Sequence, residues 1–96
     1  MNSYRLTPRA ADEIIDIELY SIAQFGYRQA ERYKHGLVAC FELISSQPML
    51  GRIARNVGSD IRRHEHGSHV IFYRIDQEGI LILAIVHERS MPDLEV

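Results

Sequence analysis

The stretch Ile80-Leu81-Ile82-Leu83-Ala84-Ile85-Val86 is a run of seven apolar residues between Gly79 and His87. A strand with one face in water alternates apolar and polar side chains, so an unbroken apolar run reads as a strand buried on both faces. At seven residues it is far short of the ~20 that a helix needs to cross a bilayer. It predicts a central strand rather than an edge, and so a sheet with partners on both sides.

Upstream segments supply those partners and a covering layer. Tyr4 and Leu6 alternate with Ser3 and Arg5, the pattern of a short first strand. Thr7-Pro8 is a helix start: a hydroxyl able to cap free N–H groups, then a proline suited to the first helical position. Asp12, Glu13 and Asp16 place negative charge early in that helix, and Gly26 ends it. Ala10, Ile14, Ile17 and Phe25 form one apolar row, and Ala11, Ile15, Leu19 and Ile22 form a second.

A second helix starts at Tyr27 or Arg28 and runs to about Ser46, with Ala30, Tyr33, Leu37, Cys40, Phe41 and Ile44 on its buried face. Gly36 within it predicts close approach to the first helix. Pro48 stops it, and the short connection at Gly26 predicts an antiparallel hairpin. A turn at Pro48-Met49-Leu50-Gly51-Arg52 then opens a polar loop that ends near Asp60. Strands are expected at about 61–66, 68–75 and 80–86, with turns at His66-Gly67-Ser68 and Asp76-Gln77-Glu78-Gly79. The fold class is α+β, in the order β-α-α-β-β-β: an N-terminal strand, then an antiparallel helical hairpin on one face of a small, mostly antiparallel sheet that three C-terminal strands complete.

Residues 1–96 are read as a single domain. A formal charge of −2 argues against a polycationic nucleic-acid binder. Ten arginines stand against one lysine, Lys34, a bias toward planar, bidentate recognition that genomic base composition would equally produce. A lone cysteine, Cys40, excludes an intrachain disulfide, and no basic-then-apolar N-terminal segment is present; both predict a cytoplasmic protein.

Arginine and histidine frame the C-terminal strands: Arg62, Arg63, His64, His66, His69, Arg74, His87 and Arg89. His64 and His66 share a strand face and suggest chelation, but no cysteine or third carboxylate has ligand spacing, so no metal and no cofactor is expected. Cys40 sits on a buried helix face, where thiols are inert, and Ser68 lies in a turn with no acid paired to His69. Arg62, Arg63, Arg74, His87 and Arg89 contain the base, acid and cations that RNA cleavage requires. The plainer alternative pairs each arginine with a carboxylate such as Asp60, Glu65 or Glu88. The second row of the first helix likewise reads either as part of a wide buried stripe or as a docking surface for another protein.

In order, Tyr4-Arg5-Leu6-Thr7-Pro8-Arg9-Ala10-Ala11, Phe25-Gly26, Ala30-Glu31-Arg32-Tyr33, Pro48-Met49-Leu50-Gly51-Arg52, Gly67-Ser68-His69-Val70-Ile71-Phe72-Tyr73-Arg74 and Ile82-Leu83-Ala84-Ile85-Val86-His87-Glu88-Arg89 resemble the ParE branch of the RelE/ParE superfamily over almost the whole chain. The resemblance implies a non-enzymatic toxin of a type II toxin–antitoxin pair. Such a toxin poisons DNA gyrase, blocks replication and is held in a hetero-oligomer by a ParD-like antitoxin. It implies no membrane and no sequence-specific nucleic acid as partner. Arg62, Arg63, Arg74, His87 and Arg89 then become the target-binding residues. Ile15, Leu19 and Ile22 become anchors for an antitoxin segment that folds on binding. The alternatives are a RelE-like, ribosome-dependent mRNA endoribonuclease and an inactive homologue that only binds its antitoxin. The acidic tail, Ser90-Met91-Pro92-Asp93-Leu94-Glu95-Val96, lacks the C-terminal tyrosine or histidine of many RelE-type nucleases.

Overall fold

A computed structural model describes residues 3–90; the tail at 91–96 lies outside the described residues. The elements are β1 (Tyr4–Leu6), α1 (Pro8–Phe25), α2 (Tyr27–Ser46), a 3-10 turn (Pro48–Leu50), β2 (Arg52–Ile53), β3 (Arg62–His66), β4 (His69–Asp76), β5 (Gly79–His87) and a final 3-10 turn (Glu88–Ser90). The two helices pack on one face of a five-stranded sheet of order β1-β5-β4-β3-β2. Among the described residues, only the β1–β5 pair is parallel. As expected from its composition, β5 lies inside the sheet, between β1 and β4.

Thr7 does two jobs at the start of α1. Its Oγ1 accepts the Ala10 N–H at 3.1 Å and donates to the Leu83 carbonyl at 2.9 Å, so the cap also fastens the helix to β5. At Gly26 the backbone has φ +92, a conformation that only glycine adopts without strain, and this one residue both ends α1 and opens α2. The main core holds Ala10 of α1, Leu37, Phe41 and Ile44 of α2, and Ile71, Tyr73, Ile80, Ile82 and Ile85 of the sheet.

A β-bulge explains how β5 serves two faces. Tyr73 lies opposite Ile82 and Phe72 opposite Ala84, which leaves Leu83 without a counterpart. The parity therefore changes at Leu83. Ile80, Ile82 and Ile85 face the helices, while Ala84 and Val86 join Val70, Phe72 and Ala54 in a second cluster on the opposite face.

Three expectations need correction. The segment expected to be only a turn and polar loop contains β2 and contributes Ala54 to the second cluster, with the Ala54 N–H donating to the Ile61 carbonyl at 2.7 Å. Two residues are too few to show a strand period. Phe25 is 57% exposed, because the buried row continues from Ile17 to Ser21, a small polar residue that an apolar pattern passes over. Ile75, two residues beyond Tyr73 on the same strand face, is 44% exposed near the end of β4. Gly36 makes room for β3 rather than for α1: a Cβ there would lie 2.8 Å from His66 Cε1.

Candidate functional site

Exposure separates the two rows of α1. Ile14 and Ile17 pack against the core, whereas Ile15 and Leu19 are 54% and 62% exposed and Ile22 is half-buried. Tyr20, Phe25 and Tyr27 extend the exposed apolar surface around the hairpin bend. A stripe of this kind on a small domain marks an interaction site. The wide-buried-stripe reading fails for Ile15 and Leu19.

The framing arginines and His87 do not form one site. Arg62 is a clamp: its Nη1 donates to the Gly51 carbonyl at 2.6 Å and its Nη2 lies 3.1 Å from Met49 Sδ. Beside it, the Tyr73 hydroxyl accepts the Gly51 N–H at 2.8 Å and donates to the Pro48 carbonyl at 2.7 Å, so Arg62 and Tyr73 together hold the 3-10 turn. On the opposite face, Arg52 and Arg63 converge on Glu65 at 2.8 and 3.2 Å. Burial alone would raise the Glu65 carboxyl, but the two guanidinium groups bring it below its ordinary value. Arg74 lies 3.9 Å from Asp60, and the exposed Arg89 has no ion-pair partner among the described residues.

His87 stands apart, four residues along β4 from the Arg62 level, roughly 13 Å at about 3.3 Å per residue. There the strand register assembles a row that sequence spacing does not show. His66 lies opposite His69 and His69 opposite His87, across β3, β4 and β5. The pair singled out from the sequence, His64 and His66, is not the grouping that matters, since His64 lies opposite Ile71.

Tyr33 of α2 caps this row. Its Oη is 2.7 Å from His69 Nδ1, donates to the His66 carbonyl at 3.0 Å and accepts the Ser68 N–H at 3.3 Å. Burial first, then the adjacent His87 and His66 rings, lowers the His69 imidazole below its ordinary value. Cys40 Sγ is 3.4 Å from His66 Nδ1, and burial pushes the thiol up, against a nucleophilic role. No three metal-ligating side chains among the described residues are placed to share an ion.

His69 and His87 line a cavity of about 240 Å³ with Tyr20, Phe25, Gln29, Tyr33 and Ser68. Its spacing marks Tyr33 as a core residue, and the sequence shows His69 only as one of the histidines that frame the strands. Only the hairpin turn at Gly67, which sets His66 opposite His69, hints at the pairing in the sequence.

Residues 4–92 match the family model described as ParE toxin of type II toxin-antitoxin system, parDE. The chain is similar to Toxin ParE1 of Caulobacter vibrioides, 36% identical over 88 residues that cover 92% of this chain and 91% of that one. Toxin ParE1 of Mycobacterium tuberculosis is 29% identical over 91 residues, covering 94% and 93%. Among solved structures, the chromosomal ParDE TA system from P. aeruginosa contains a chain of the same fold, with a TM-score of 0.77 at 19% identity, covering 91% of this chain and 96% of that one. Among the described residues, no helix is long and apolar enough to cross a membrane.

Proposed function

This chain belongs to the ParE family of toxins of type II toxin–antitoxin systems, and from that membership we propose that it binds DNA gyrase in the cytoplasm, blocks replication, and is silenced by a ParD-like antitoxin folding over its helical hairpin. The observation that carries this reading is the family match across residues 4–92. The α1 row supports the second half of it. Ile15, Leu19 and Ile22 are the apolar anchors that a segment folding on binding needs, at the spacing of a helix-in-groove interface.

For the target we assign Arg74 and Arg89 as direct contacts, together with His87. Arg63 shares Glu65 with Arg52 and adds to the same charged surface. Arg62 contributes by holding the 3-10 turn. Acid/base cleavage of RNA needs its base, acid and cations within hydrogen-bond reach of one phosphate, and the separation of His87 from Arg62 counts against it.

Induction of the chain without antitoxin tests the proposal. Filamentous cells with trapped gyrase cleavage complexes and initially intact translation are the expected result. Early translation arrest with cut mRNA would transfer the chain to the nuclease reading, and normal growth would make it an inactive homologue.

A further inference from the structure

Of the side chains that line the cavity at the end of the histidine row, only His87 enters the target assignment above. Its chemistry follows from the hydrogen bonds of its two imidazoles, whose rings meet edge to face with centroids 5.3 Å apart. The Arg89 N–H donates to His87 Nδ1 at 3.1 Å, so neutral His87 carries its proton on Nε2. The Tyr33 hydroxyl has one proton and three neighbours: the Ser68 N–H, the His66 carbonyl and His69 Nδ1. All three are satisfied only if the hydroxyl donates to the carbonyl and accepts from both Ser68 and His69 Nδ1–H. The His69 lone pair is then on Nε2. One imidazole offers an acceptor and the other a donor, and neither Nε2 has a hydrogen-bond partner among the described residues.

We propose that this cavity seats one uncharged side chain of the antitoxin, a carboxamide or a hydroxyl, which donates to His69 Nε2 and accepts from His87 Nε2–H. The proposal rests on the reading that the antitoxin covers the α1 row. Phe25 lines the cavity and lies three residues beyond Ile22, its neighbour on the helix surface, so a segment running along the row toward the end of α1 arrives at the cavity mouth.

Charge disfavours an anionic occupant, and hydrogen bonding a cationic one. Glu13 and Asp16 of α1 line the adjoining groove with the same two imidazoles, and Glu88 follows β5, so a carboxylate would meet like charge. A cation would face the His87 N–H. The remaining titratable neighbours of His69 are Tyr20 of α1, Tyr33 of α2, His66 of β3 and His87 of β5. Acid protonates His69 Nε2 and removes the acceptor, so occupancy requires the neutral ring. Affinity must therefore fall as pH drops through the titration of His69 in the free toxin, which lies below 6.5.

The test is calorimetric titration of the purified toxin with the antitoxin encoded by the adjacent reading frame, from about pH 7.5 to about pH 5.5. Wild-type affinity is expected to fall toward the acid end of that range by less than about tenfold, because the free ring titrates below 6.5 and only its protonated fraction is lost to binding. His69→Gln, which keeps an acceptor near the Nε2 position, should bind as wild type at the upper pH and lose the His69-dependent slope. His69→Phe and His87→Phe should each bind about tenfold more weakly at the upper pH, with thermal melting confirming the fold. Tighter binding in acid would mean an anionic occupant, and undiminished binding by His87→Phe would mean a cationic one; either overturns the proposal. So does a slope that His69→Gln leaves unchanged. Leu19→Asp separates the two ideas. If it binds as wild type, the row reading fails; if it weakens binding while His69→Phe does not, the cavity proposal fails alone.

Discussion

Tyr73 shows how much one buried hydroxyl can organise. It is fully buried and satisfies both the Gly51 N–H and the Pro48 carbonyl, which it holds beside the Arg62 clamp. Tyr73→Phe would leave a buried N–H without its acceptor, so a loss of about 1–3 kcal/mol is expected, read as a lower urea midpoint at unchanged slope. Two other side chains contribute to the pH response. The folded-state shift of Glu65 is downward, so its stabilisation is present above the ordinary 4.5 and is lost as pH falls through the lower folded value. The shift of His69 is also downward, so its contribution is whole above the ordinary 6.5 and declines in acid. Thermal melting against pH should therefore show loss in two zones. His69→Gln should abolish the upper zone and Glu65→Gln should reduce the lower one.

Helix α1 was legible as an element because its caps and spacing are local. Thr7, Pro8 and Gly26 bound it where expected, and Ala10, Ile14 and Ile17 face the core. The identity of its second row was not legible, since periodicity says which residues share a face but not what covers that face. Exposure at Ile15 and Leu19 resolves this and yields a prediction. Ile15→Asp or Leu19→Asp should weaken antitoxin binding by at least tenfold while moving stability by no more than about 0.5 kcal/mol, the range of ordinary surface substitutions. Unfolding of either variant would assign the row to the core. Strand β5 was legible for the same local reason, but its bulge at Leu83 was not. Seven apolar residues in a row carry no alternation from which a parity change could be read.

At the scale of the whole molecule, the arginines grouped by sequence divide into different kinds. Arg74→Ala and Arg89→Ala are expected to reduce toxicity on induction without lowering the melting temperature, because both side chains are exposed and at most loosely paired. Arg62→Ala should lower both, because it releases the carbonyls that hold the 3-10 turn. Equal losses of toxicity and equal melting in all three would return Arg62 to the target surface. By itself the sequence determined the order of the elements other than β2, the helical hairpin, the interior place of β5 and, through its resemblance, the toxin family. All of these rest on spacing along the chain or on ordered motifs. Only the tertiary structure decided which side chains meet across the strands. Register is set by long-range packing and by one bulge, and it joined His66, His69 and His87 under Tyr33 while separating His87 from the Arg62 level of the sheet.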